Sequence, residues 1–287
     1  MGHPAQPNES VMSANPTRLR FRHPARIRAL CGFVLFVVVV VTALATAPPA
    51  GAAARLATAR AELAPHVEGK VNGGATSANA RFIVDVYQRL LGRSADNGGL
   101  DFHLSRLAAG GDRSRRALAY GLLFSAEGSR QEVRRAYDDL LGRQPDTAGE
   151  DYWTAHLQGR GLLELRVLLL ASDEFRTTAG GTDDTWLAAV YLELLGRQPD
   201  AAGRAYWLGL LDAGVPRVLV AAGLYLSDEA LGRRVDSYYV EAVGRTPSTA
   251  ERNGAVSAIH RVGERGLRAQ LWGSDEAFER YLQAALS

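Results

Sequence analysis

The chain has 287 residues, of which 47% are hydrophobic and 22% charged, a globular composition with enough apolar side chains for a real core. Its 33 basic and 31 acidic residues give a formal charge of +2, but the first 52 residues hold five arginines and one glutamate, so 28 basic and 30 acidic residues remain, about −2 with the signs interspersed. That balance excludes the basic face needed for nucleic acid or for an anionic membrane surface, and the single cysteine, Cys31, excludes a disulfide framework.

At the N-terminus, Arg18, Arg20, Arg22, Arg26 and Arg28 precede an uncharged stretch from Ala29 to Ala54, apolar from Leu30 to Leu44. A basic region, an apolar region and small residues after it describe an export signal over residues 1–54. Ala50-Gly51-Ala52 fits a small-x-small cleavage site, while residues 29–47 are also long enough to stay as an uncleaved anchor. Either outcome predicts a secreted or envelope protein, membrane-bound only if uncleaved. Lys70 is the only lysine, and this bias with abundant Ala and Gly points to a GC-rich bacterial source. Residues 55–79, with Pro65 and the run Asn72-Gly73-Gly74-Ala75-Thr76-Ser77, read as a linker.

From Ala80 the chain repeats. Tyr87-Gln-Arg-Leu-Leu-Gly92-Arg93 returns as Tyr137 to Arg143, Tyr191 to Arg197 and Tyr239 to Arg245, with Gly-to-Gly steps of 50, 54 and 48 residues. A Ser-x-Glu follows each time, at Ser125/Glu127, Ser172/Glu174, Ser227/Glu229 and Ser274/Glu276. Two landmarks in fixed order predict an array of four units, about 80–130, 131–180, 181–232 and 233–287, in one domain over 80–287.

Each unit reads as three helices, so the expected fold is all-α. In the first helix Phe82, Val86 and Leu90 recur at helical spacing. Gly92, Gly142, Gly196 and Gly244 stand where a helix stops in a left-handed residue. Asp96, Asp146 and Asp200 are placed to cap the second helix, and Ser125, Ser172, Ser227 and Ser274 to cap the helix after the third. The insertion Thr177 to Thr182 separates units two and three. Unit four is degenerate: Ser248 replaces the capping Asp, Glu251 the following Gly, and Gly254-Ala255 the aromatic pair, as expected of the terminal cap of an open array.

The pattern Gly-Arg-x-Pro-Asp-x-x-Gly-x-x-Tyr-Trp-x-x-x-Leu followed by Ser-x-Glu-Phe resembles the bacterial domain-of-unknown-function family 4214. Unit two carries it most fully, from Tyr137 to Phe175; unit one has Ser94-Ala95-Asp96 and Phe102-His103 instead, and unit three ends in Ala230. The resemblance extends over residues 80–287. It implies an all-helical fold similar to phycobilisome linker domains and an extracellular or assembly setting, and it supplies no catalytic residue.

Four sets of residues are candidates for a role. Arg93, Arg143, Arg197 and Arg245 are expected to fork onto Glu127, Glu174, Glu229 and Glu276 and tie the first helix of each unit to the end of the third. In the aromatic pair, Phe102, Tyr152 and Tyr206 are assigned to the core. His103, Trp153 and Trp207, about 100° further round the helix, are read as core packing, with a partly exposed place that suits a sugar ring or a protein partner as the alternative. Asp146, Glu150 and Asp151 invite a calcium reading, but Ala201, Ala202 and Arg204 break it in unit three, so no metal is expected. The sequence has no His-Glu-x-x-His, no Gly-x-Ser-x-Gly and no phosphate loop, so neither an enzyme nor a cofactor is expected. The expected role is a non-enzymatic binding or assembly module contacting an envelope or extracellular protein, or, through Trp153 and Trp207, a glycan.

Overall fold

In the computed structural model, which describes residues 74–159 and 162–286, every regular element among the described residues is an α-helix. They run α1 Gly74–Leu91, α2 Asn97–Phe124, α3 Ala126–Leu141, α4 Thr147–Gly159, α5 Leu162–Ala171, α6 Asp173–Thr178, α7 Asp183–Leu195, α8 Ala201–Asp212, α9 Arg217–Tyr225, α10 Asp228–Ala242, α11 Thr249–Trp272 and α12 Asp275–Leu286. The chain is all-α. Among these helices none is long and apolar enough to cross a membrane. The export segment 1–54 and the linker as far as residue 73 lie outside the described residues. Residues 74–79, expected as linker, instead form the first turns of α1, where Ala78 is fully buried; packing overrides the local Gly/Ser/Thr composition.

Helix ends follow local chemistry. α3 and α7 stop at Gly142 (φ 63°) and Gly196 (φ 65°), left-handed residues that a side chain would strain. α2 and α11 each break once, at Gly111 (φ 52°, ψ −136°) and Gly263 (φ 75°, ψ 170°), so each is two helices set at an angle. α6 is short because Thr178 to Gly181 turns the chain before Thr182 caps α7.

The packing is not that of an open array. α3 packs on α4 and α5, and α5 on α9, which joins units two and three. The last helices return to the first: α12 packs on α1 and α11 on α2. Phe82 of α1 meets Phe278 and Tyr281 of α12 edge-to-face at 5.5 and 5.4 Å, and the Tyr281 hydroxyl donates to Asp85 at 2.5 Å. Phe82, Ile83, Leu123, Val235, Leu267 and Trp272 share one core, to which both ends of the domain contribute. The expectation of a terminal cap is thus corrected: unit four covers unit one. Its small Ala255 and Ala258, buried where other units carry larger residues, permit that approach.

Candidate functional site

The most regular construction in the molecule is the corner after each first helix. The Nε and Nη2 of Arg93, Arg143, Arg197 and Arg245 donate to the two carboxylate oxygens of Glu127, Glu174, Glu229 and Glu276; at Arg197 the distances are 2.7 and 2.8 Å. The Nη1 of each donates to the carbonyl of the next residue, at 2.9 to 3.2 Å. Each guanidinium also lies over the tyrosine six residues before it, 5.3 to 5.7 Å from the ring centre. Because a fork needs both oxygens in one plane, the corner fixes the angle between helices. The arginines hold Glu127 and Glu229 below the ordinary carboxylate range.

These pairs are largely solvated, which limits their worth. Arg143 is the most covered, its side chain 25% exposed against 43% for Arg197. Arg143→Ala is expected to cost about 1 kcal/mol and lower Tm by roughly 2–4 °C, with Arg143→Lys no better because an ammonium cannot fork. An unchanged thermal unfolding curve for Arg143→Ala would remove the corner from the stabilising contacts.

The caps form one set with the corners. Asp96, Asp146 and Asp200 accept from the backbone N–H of Gly99, Gly149 and Gly203 at 2.7, 2.8 and 2.7 Å. Ser125, Ser172, Ser227 and Ser274 accept from the N–H of Gly128, Phe175, Ala230 and Ala277 at 2.9 to 3.2 Å. Each of these glycines after the Asp lies under a tyrosine hydroxyl; a Cβ on Gly203 would stand 2.8 Å from that of Tyr191. Glu251 takes that glycine's position in unit four, completes a capping box with Ser248 and accepts from the guanidinium of Arg245, which holds its carboxyl down to about 2. The change is therefore a replacement of one lock by another. Glu150 and Asp151, candidates for calcium, pair instead with Arg134 and Arg130, and no group of three His, Cys, Asp or Glu side chains among the described residues could hold a metal.

Of the aromatic pair, the second position is buried, as the core reading has it, while the first, expected in the core, is exposed. Trp153 and Trp207 are 8% and 6% exposed, whereas Phe102, Tyr152 and Tyr206 are 52%, 45% and 49% exposed. The physical reason in unit three is the indole N–H, which needs a partner once buried and has one: Trp207 Nε1 donates to the Tyr191 hydroxyl at 3.0 Å. His103 Nε2 contacts the Tyr87 hydroxyl in the same way at 3.2 Å. A glycan site on Trp153 and Trp207 is overturned, since neither face is open.

A buried polar centre was missed altogether. The second half of α11 brings in Glu264, Arg265 and Arg268. Arg268 donates to Glu132 at 2.6 Å and to Glu241 at 3.1 Å. Arg265 donates to the Leu157 carbonyl at 2.8 Å, to that of Leu123 and to Ser129 Oγ at 3.0 Å, so one side chain closes the C-terminal ends of α2 and α4. Glu264 accepts from the hydroxyls of Tyr225 and Tyr238 at 3.1 and 2.5 Å and pairs with Arg234. Burial pushes both tyrosines up, Tyr238 strongly, so they stay donors. The sequence signal was present: Arg265 and Arg268 sit three apart beside Leu267, Ala269, Leu271 and Trp272, an apolar helix carrying two cations.

Fold and corner together define an all-helical protein framed on a repeated Tyr–Gly–Arg corner and its Ser-x-Glu. Residues 68–132 and 167–234 match the family model described as domain of unknown function (DUF4214). The first stretch takes in the first helix and the Ser-x-Glu of unit one; the second begins inside α5 of unit two and runs through the Ser-x-Glu of unit three, and residues 133–166 and those beyond 234 are not matched, narrower than the 80–287 expected. No curated protein and no solved structure matches the chain.

Proposed function

We propose that this is a non-enzymatic binding and assembly module, exported through its N-terminal segment and acting at the cell envelope or outside the cell through protein–protein contacts. The observation that carries the reading is the recurrence of one outward aromatic, Phe102, Tyr152 and Tyr206, at the same position of the second helix in three units. Those rings are not needed by a core that is complete without them, and aromatic side chains are what partner-binding surfaces concentrate. The likeness of the repeat to phycobilisome linker domains supports the assembly setting as an analogy. The polar centre around Arg268 supports a structural use of the charges, because its carboxylates are met by arginines and tyrosines of the protein itself.

The test is co-sedimentation of the full-length chain with native envelopes and with envelopes stripped of protein. Pelleting with native material alone, reduced at least fivefold in the triple variant Phe102→Ser, Tyr152→Ser, Tyr206→Ser, is the expected result. Equal pelleting of wild type and triple variant would remove the outward aromatics from the interaction, and pelleting with stripped material would replace the protein partner by a glycan or lipid.

A further inference from the structure

Unit one contains an opening that unit three does not. Between the two halves of α2, on either side of Gly111, lies an open cleft of about 580 Å³ lined among others by Phe102, His103, Leu107, Leu118, Gly121 and Leu122. Counting back from the capping serines Ser125 and Ser227, Gly121 corresponds to Gly223, Leu118 to Val220 and Leu122 to Leu224. Counting on from Tyr87 and Tyr191, His103 corresponds to Trp207, and each bonds that tyrosine hydroxyl. The two units thus correspond at these positions, although the turn between the two helices is two residues longer in unit one, where 38 residues separate Tyr87 from Ser125 against 36 from Tyr191 to Ser227.

Over the glycine itself the difference is one ring. In unit three the far edge of the Trp207 indole lies on Gly223, so close that a Cβ there would stand 3.0 Å from its Cη2. In unit one the imidazole of His103 is shorter, and a Cβ on Gly121 would meet nothing within 4 Å. A glycine with no ring over it, inside a helix, gives up about 1 kcal/mol of helix propensity with no packing in return. In unit two Leu168 stands at the position of Gly121 and a buried Trp153 at that of His103. At the mouth, the Arg106 guanidinium stacks 4.5 Å from the centre of the exposed Phe102 ring. Burial and the Arg106 charge push the His103 imidazole down, which keeps the inner wall uncharged.

We propose that the α2 cleft receives an aromatic side chain of a partner protein, seated over Gly121 in the place that the Trp207 indole fills over Gly223. The occupant's chemistry is set by the molecule's own example: a planar ring of indole size, with its edge on the glycine. A polypeptide segment is the source because the cleft is open along its length and continues onto the exposed Phe102, which belongs to the surface invoked for assembly. The inference rests on the assembly reading for its partner but not for its slot.

The experiment is titration of the full-length chain with N-acetyltryptophanamide, followed by ligand-observed NMR, together with envelope co-sedimentation. Wild type should bind the probe saturably with Kd on the order of 1–10 mM, the range of a small fragment. His103→Trp, which supplies the missing ring, and Gly121→Leu, which copies unit two, should each weaken the probe at least tenfold, with Tm held or raised. His103→Trp should also pellet at least fivefold less with native envelopes. No binding to wild type, or equal binding to wild type and to both variants, overturns the slot whatever the pelleting shows. Loss of probe binding in His103→Trp with undiminished pelleting overturns the partner side chain and leaves a site for a free aromatic compound. Probe binding as expected with no pelleting of any protein defeats the assembly reading and the partner with it, while the slot stands.

Discussion

Glu132→Ala is expected to lose about 3–5 kcal/mol of unfolding free energy, read as a lower urea midpoint at unchanged slope. Glu132 and Arg268 are both buried and their side chains are 4% and 6% exposed, so removing the carboxylate leaves a guanidinium in a place water reaches poorly. Glu241, more exposed at 25%, is the other carboxylate bonded to Arg268 among the described residues and cannot carry the whole compensation. Replacing both partners by apolar residues, Glu132→Leu with Arg268→Met, should recover most of the loss, because desolvating the pair offsets much of its attraction. Burial pushes Glu132 up, but the charges of Arg268 and Arg135 outweigh it and hold the carboxyl below its ordinary value. A carboxyl depressed on folding contributes stability that is full above the unfolded value, about 4.3, and lost as pH falls through the folded value. The acid limb of the wild-type stability curve should therefore be steeper than that of Glu132→Ala. A Glu132→Ala midpoint within about 1 kcal/mol of wild type would mean that water reaches this centre freely.

Trp207→Ala should cost about 3–5 kcal/mol as well, through the cavity it leaves over Gly223 and the unpartnered Tyr191 hydroxyl. Tyr206→Ala, one residue away, should stay within about 0.5–1 kcal/mol because half of that ring is already in water. Parallel denaturant titrations of the two variants decide the orientation of the pair. A larger loss at Tyr206 than at Trp207 would put the tyrosine inside.

What the sequence disclosed and what it withheld divide along the range of the interactions. Caps and corner stops are local: a serine accepts from the N–H three residues on, and Gly142 ends its helix, wherever the helix goes. The Arg–Glu forks span 34, 31, 32 and 31 residues, yet recurrence made them legible. The first aromatic of the pair was misplaced because tolerance of Phe there argues equally for a core site and for a surface site. The discriminating fact was a hydrogen bond across sixteen residues from Trp207 to Tyr191, and a buried N–H does demand such a partner. The closure of α12 on α1 and the position of Arg265, 142 residues from its Leu123 acceptor, left no periodic trace. The cleft in unit one was written in the sequence as His103 for tryptophan opposite Gly121, but only the packing of Trp207 on Gly223 gives that substitution its meaning.

The joining of α12 to α1 also sets a timetable. Tyr281 and Asp85 are 196 residues apart in the chain, so the first helix to be synthesised waits for the last before its core is whole. At about 5–20 residues per second, the ribosome takes roughly 10–40 s to bring the two together. During that interval Phe82, Ile83 and Val86 are without their final cover, and a growing chain is held back from its finished form by its own topology. Under the export proposed for this chain, a core that waits for α12 suits a polypeptide threaded through a narrow passage before it folds.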